Sequence, residues 1–219
     1  LNLRNTGVKP GTAQEYSEET ELADPRIYFR RVVEVLEQLP LGAINQVVDR
    51  LFQAYRLDQS VYLLGNGGSA ALASHAACDL GKGTATPDKR ALRAVSLADN
   101  VALMTAWAND SSYDDIFAAQ LRPLIRPGDT VLAISGSGDS PNVLNALRVA
   151  RDSGASRIGI TGFAGGKMKA LCDLCVIVPS ENMQQIEDSH VCLMHAVFLA
   201  LRQRMLMIDL ATCGAEQEP

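Results

Sequence analysis

No stretch of about 18 consecutive apolar residues occurs in this chain, so nothing in it reads as a membrane-spanning helix. No basic-then-apolar segment opens it as a secretory signal would. Cysteine is sparse. The five at 78, 172, 175, 192 and 213 are an odd number without the density of a disulfide scaffold, which predicts reduced thiols. Basic side chains are outnumbered, 20 Lys+Arg against 25 Asp+Glu, which argues against a cationic surface for nucleic acid or anionic lipid. The acidic excess is peripheral: residues 1–24 hold two basic and five acidic residues, 211–219 hold two acidic ones, and 25–210 balance at 18 of each. Histidine occurs only three times, at 75, 190 and 195. No G-x-x-x-x-G-K-[ST] loop is present, which argues against a nucleoside triphosphate. What remains is globular composition, 47% apolar and 21% charged, in 219 residues that can bury one sizeable core. The expectation is a cytoplasmic protein with no nucleic-acid or membrane partner.

Residues 1–23 lack apolar periodicity and are expected to be a flexible tail, as are 211–219. Asp24-Pro25 makes a helix start, with Asp as N-cap and Pro at the first helical position. Two helices, 26–39 and 43–57, are separated by Pro40 and Gly42 and are expected to form an antiparallel pair occupying 24–58. From 59 to 210, short apolar runs alternate with helical patterns. The runs are Val61–Leu64, Leu92–Leu97, Thr130–Ile134, Arg157–Thr161 and Cys175–Pro179. Apolar strands joined by helical crossovers predict an α/β fold with a parallel sheet covered on both faces. Ligands of such sheets bind beyond the carboxyl ends of the strands.

Two post-strand segments carry chemistry. The first is Gly65-Asn66-Gly67-Gly68-Ser69-Ala70, opening a helix. Its glycines let backbone N–H groups approach an anion, and a helix N-terminus favours negative charge. A plain tight turn reads the same way, and residues 65, 67 and 70 also fit G-x-G-x-x-A. No acidic residue ends the next strand as a dinucleotide site requires. The second is Ser135-Gly136-Ser137-Gly138-Asp139-Ser140-Pro141. One helix cap explains one serine, not three; hydroxyls and amides together make a neutral phosphate cradle. Two such turns without a Walker lysine point to a sugar phosphate.

His75 and Asp79 stand one helical turn apart on one face, among Ala70, Ala71, Ala73, Ala76 and Ala77. His195 is the one polar residue in the run Val191–Leu201. A core histidine bonded to a carbonyl is the ordinary reading, which Glu187 upstream weakens. His75, Asp79, Glu187 and His195 form a set suited to Zn²⁺ or another divalent metal, or to acid–base work. Glu187 and His195 lie eight residues apart, a rise of about 12 Å. They could share a metal only by reaching along the helix, with Glu187 placed before the first turn, or across subunits.

These residues also carry a resemblance. The stretch 61–203 resembles the sugar isomerase (SIS) superfamily, and within it the phosphoheptose isomerases that act on sedoheptulose 7-phosphate. The matching pieces are Gly65–Ser69, Ala108-Asn109-Asp110 with Ile116-Phe117, Ile134–Ser140, Thr161-Gly162 with Gly165-Gly166-Lys167-Met168, and the helix carrying His195. The resemblance implies a three-layer flavodoxin-like fold with five parallel strands and an N-terminal helical pair. It implies a homotetramer with sites between subunits. Asn66, Gly67, Ser69, Ser135, Ser137 and Ser140 match the sugar-phosphate loops, and Asp99 the substrate-contacting Asp. His195 matches the catalytic histidine and Asp79 the catalytic glutamate; Glu187 stands where the family has glutamine. In zinc-containing members the positions of His75, Asp79, Glu187 and His195 bind the metal, so one Zn²⁺ per subunit is implied. Asp79 is one methylene shorter than the family residue. Asp139 brings a charge that a phosphate tolerates only if it points away.

The activity so implied is aldose–ketose isomerisation of a phosphorylated sugar through an enediol, with Asp79 as base and His195 as acid–base partner. The alternative is a non-catalytic SIS-domain adaptor of the type that binds a replication initiator. Lys82 is a second candidate for the phosphate. Trp107 is expected to pack internally. His190, off the His195 face by about 140°, is expected to be structural or interfacial.

Overall fold

A computed structural model describes residues 24–87 and 89–215, the last eight as backbone only. Five parallel strands form one sheet: β1 (Ser60–Gly65), β2 (Arg93–Ser96), β3 (Thr130–Ser135), β4 (Ser156–Thr161) and β5 (Leu174–Ile177), in the order β2-β1-β3-β4-β5. All pairings are parallel; Val61 stands opposite Thr130, and Thr130 opposite Ser156. All five predicted strands form, shifted by no more than two residues at an end. The helices are α1 (Pro25–Glu37), α2 (Leu41–Arg56), α3 (Gly68–Lys82), α4 (Val101–Asp110), α5 (Ile116–Leu121), α6 (Pro141–Asp152), α7 (Met168–Leu171) and α8 (Met183–Ala215).

The apolar strands divide their side chains by period two between two cores. Leu63, Leu132, Ile134, Ile158, Ile160 and Val176 face α2, α3 and α8. Tyr62, Leu64, Val131 and Ala133 face α5 and α6, where Phe117 and Leu147 are buried. Because both faces are covered, the central strands show no polar alternation. Strand order reverses between β1 and β3. That is the topological switch point, where the turns leaving two neighbouring strands diverge and open a crevice.

The N-terminal helices depart from expectation. Asp24 does cap α1: its Oδ1 accepts the Arg26 amide at 2.9 Å, with Pro25 at the first position. The two helices do not form a face-to-face pair, however. Each packs on α8, and α2 also packs on β5 and β1. The amphipathic face of α2 buries Val47, Val48, Leu51 and Ala54 in the sheet core, while α1 buries only Val35. At the other end α8 continues to Ala215, so the tail expected from 211 is helical for five residues. The tail expected over 1–23 lies outside the described residues. No helix is long and apolar enough to cross a membrane among them.

One contact joins the sheet to the start of α8. A Cβ added to Gly162, just beyond β4, would lie 2.4 Å from Cδ1 and 2.6 Å from Cγ1 of buried Ile186. Three branched carbons of one side chain cannot swing clear. Gly162→Ala is therefore expected to cost about 1–3 kcal/mol through overpacking, read as a lowered urea midpoint.

Candidate active site

Helices α3 and α8 run parallel along one face of the sheet. Their contacts keep step: Gly68 with Glu187, His75 and Asp79 with His195, and Gly83 with Phe198 and Arg202. Small residues permit this approach, since Ala73, Ala76 and Ala77 of α3 are buried in the shared core. The result at mid-helix is a convergence of three donors from one chain. His75 Nε2 lies 3.4 Å from His195 Nε2 and 3.5 Å from Asp79 Oδ2, and His195 Nε2 lies 3.8 Å from the same oxygen. All three ligand atoms fall within 4.8 Å of one another. Two ring nitrogens and a carboxylate oxygen aimed at one point suit a divalent cation or a shared proton. The side chains remain reachable, His75 being 51% and His195 46% exposed. His195 is thus not a core histidine.

Glu187 does not join them. Its carboxylate lies against Gly68, with both oxygens 3.1 Å from where a Gly68 Cβ would stand. Helix α3 has no side-chain cap of its own, and a carboxylate beside its N-terminus is favourable. The structure therefore brings together three of the four residues expected to bind metal. Both Glu187 and His195 are on the regular helix α8, so their axial separation is not closed.

The two hydroxyl- and glycine-rich turns are neighbours because β1 and β3 are. Gly67 takes φ +54° at the start of α3. The side-chain amides of Asn66 and Asn142 donate to one another at 2.9 and 2.8 Å, and Tyr113 donates to Asn66 Oδ1 at 3.1 Å. This clamp ties the first turn to the start of α6. Asn66 is thereby engaged in structure. In the second turn Gly138, at φ +69°, donates its N–H to Ser135 Oγ at 3.2 Å, and Asp139 N–H donates to Ser137 Oγ at 3.3 Å. Ser140 Oγ lies 3.4 Å from Ser135 Oγ and makes no cap bond to α6. Ser135 and Ser137 thus accept locally and keep their O–H donors. Asp139 turns away, accepting the Lys167 amide at 3.1 Å. Ser69 and Ser135 are buried, Ser137 exposed. Two helix N-termini without side-chain caps and four hydroxyls make a neutral cradle for an anion.

Asp99 sits apart from the cradle. It accepts the Ser74 hydroxyl and lines a cavity of about 650 Å³ between α3, β2 and the start of α4. Lys82 ends α3, about 20 Å along the helix from Ser69, too far for a phosphate held there. Trp107 is 37% exposed on α4, a helix that buries none of its residues. Sequence reasoning missed Asn142, Tyr113 and Tyr28. Tyr28 of α1 donates to Asp188, and burial beside Asp188 and Glu187 pushes its phenol up to about 12. No sequence pattern marks these partners, which lie 47 to 160 residues from what they touch. His190 is 1% exposed.

Comparison with known proteins fits this geometry. A family model of the SIS domain matches residues 27–162. A phosphoheptose isomerase of Mycobacterium tuberculosis is 40% identical over 186 residues, 85% of this chain and 91% of that protein. One of Pelobacter propionicus is 37% identical over 178 residues, 81% and 92%. The chain belongs to the phosphoheptose isomerase family. Solved structures of family members from Neisseria gonorrhoeae and Francisella tularensis superpose with TM-scores of 0.75 and 0.76, each at 29% identity. They cover 88% and 83% of this chain and 100% and 98% of their own. This member of the phosphoheptose isomerase family is a phosphosugar isomerase, which sets aside the adaptor alternative. The flavodoxin-like fold expected of it is the one observed.

Burial of His190 has a measurable consequence. Desolvation pulls its imidazole down to about 4, from an ordinary 6.5, only partly offset by the Thr161 backbone. Between those values the unfolded chain binds the extra proton, so stability falls as pH drops from about 6.5 to 4. The loss is on the order of 3 kcal/mol. Urea unfolding across that window is expected to show a steeper decline for the native sequence than for His190→Gln; parallel curves would contradict it.

Proposed function

We propose that this isomerase converts sedoheptulose 7-phosphate to D-glycero-D-manno-heptose 7-phosphate. The observation carrying the reading is the convergence of His75, Asp79 and His195 between α8 and α3, the helix that opens at the Ser69 turn. The names of the family relatives support the choice of sugar. Phosphate is held by Ser69, Ser135, Ser137 and Ser140 and by the amides that open α3 and α6, without a charged side chain. The open-chain ketose then lies along α3 with C1 and C2 toward the three donors. Asp79 removes the C1 proton, giving an enediol, and a proton delivered at C2 gives the aldose. Its Oδ2 faces both rings, so the second oxygen serves as base. His195 moves the proton between the O1 and O2 oxygens. Asp99 bounds the substrate on the β2 side.

The three donors fit a catalytic zinc, which takes three protein ligands and keeps one position open. His75, Asp79 and His195 would hold it, and Zn²⁺ there supplies polarisation of the substrate carbonyl. Glu187, engaged at Gly68, is not needed for the count. A homotetramer with sites between subunits belongs to the same reading. It is supported by the exposed Val101, Leu103 and Trp107 of α4, and by Leu199 and Met207 on the outer face of α8. Four described cysteines are free thiols, in keeping with a cytoplasmic setting.

Three measurements test this. Purified protein should carry about one zinc per subunit, and His75→Gln should lose it. Asp79→Asn should lower kcat by roughly 10²–10⁴-fold at near-native stability; unchanged turnover would remove Asp79 from the mechanism. Ser137→Ala, on the exposed tip of the cradle, should raise KM about tenfold while kcat moves less.

A further inference from the structure

The two turns of the anion cradle leave different strands, β1 and β3. One phosphate can meet both only if the gap between them is fixed. A pair of side chains crosses that gap. Asn66, in the first turn, and Asn142, in the opening turn of α6, face each other as two primary amides. Asn66 Nδ2 donates to Asn142 Oδ1 at 2.9 Å, and Asn142 Nδ2 donates back to Asn66 Oδ1 at 2.8 Å. Each carbonyl oxygen also takes a second donor. Asn142 Oδ1 accepts the Val143 amide at 2.9 Å, and Asn66 Oδ1 accepts the Tyr113 hydroxyl at 3.1 Å. A carbonyl oxygen has two lone pairs, so both oxygens are filled and neither amide can flip without losing bonds.

The anchor of this pair is α6. Asn142 is 1% exposed. Tyr113 is 57% exposed, yet it is held in place. It stands on the short helical turn Tyr113–Asp115, whose Asp114 carbonyl accepts Asn145 Nδ2 of α6 at 2.9 Å. Asn66 is thus gripped from two sides, and its own carbonyl accepts the Ala70 amide at 3.2 Å. That bond starts α3. Fixing Asn66 therefore fixes the amides of Gly68 and Ser69, which open α3 without a side-chain cap.

We propose that Asn142 and Tyr113 are positioning residues for phosphate: acting through Asn66, they hold the two turns of the cradle at the spacing that lets one phosphate meet both. The inference rests on the sugar-phosphate reading above and adds to it two residues that act without touching the ligand. The effect falls on binding. His75 lies about 9 Å along α3 from Ser69, and the three donors take their geometry from α3 against α8.

The test compares the native protein with Asn142→Leu, which keeps the volume and adds no charge while deleting the amide pair. Inorganic phosphate is titrated and followed by its ³¹P line width, with Ser137→Ala as the control that the signal comes from the cradle. Turnover of sedoheptulose 7-phosphate is assayed separately. Asn142→Leu is expected to raise the phosphate Kd and the substrate KM by the same factor, about tenfold or more, with kcat within about threefold. Tyr113→Phe, altered at a half-exposed ring, should raise both about threefold. The double variant should bind no more weakly than Asn142→Leu, because both changes act through Asn66. A merely structural role would lower the urea midpoint and leave Kd and KM where they were. That result, or losses that multiply in the double variant, would overturn the proposal. Weaker phosphate binding by the variants of a protein that does not turn over the sugar supports the clamp and removes the isomerisation. Turnover with unchanged Kd and KM removes the clamp and leaves the isomerisation standing. Neither phosphate binding nor turnover overturns both. Should Asn142→Leu not fold, Tyr113→Phe decides alone.

Discussion

Everything at the candidate site depends on the in-step packing of α3 against α8. Two helices that each follow a strand of a parallel sheet start at the same edge and descend together. Small residues on α3 let α8 come close enough for side chains on the two helices to meet. The sequence separation of 120 residues between His75 and His195 then counts for nothing. The distance between their nitrogens is set by the sheet beneath, whose central strands β1 and β3 are buried along their whole length. A donor set built on two packed helices holds its geometry better than one built on loops.

The anion cradle rests on a different economy. It uses no lysine or arginine. Its positive potential comes from amides at helix starts, and its shape from glycines at φ +54° and +69°. The hydroxyls that point inward also hold the turn together, since Ser135 and Ser137 accept amides of their own loop. Asp139 shows how closely the loop is specified: one hydrogen bond to the Lys167 amide turns a charge outward that would otherwise oppose a phosphate.

Much of this was legible in the sequence. Continuous apolar runs marked five strands of a parallel sheet, because central strands buried on both faces leave no other pattern, while their order in the sheet was not readable. The serine turn stood out because one cap cannot account for three hydroxyls. His75 and Asp79 were readable from their spacing alone. Other features were not. Glu187 falls at a metal-binding position by resemblance, yet its partner is the N-terminus of α3. No residue pattern announces that contact, since Gly68 offers no side chain. The relation of α1 to α2 was misread because each is amphipathic, and amphipathicity says that a face is covered without saying by what. The clamp of Asn66, Asn142 and Tyr113 joins residues whose types are common in turns and carry no signal. His190, by contrast, was read as structural or interfacial from facing away from His195, and its burial on the other face of α8 agrees with that.

The common starting edge of the helices has one more effect. Helices α3, α6 and α8 all begin at the carboxyl end of the sheet, so their macrodipoles add there instead of cancelling. The chain as a whole is acidic, with a formal charge of −5. An approaching dianion nevertheless meets a field whose sign depends on the side from which it comes. Capture at that edge is written into the peptide backbone, and the exposed charges elsewhere on the protein are free to drift without erasing it.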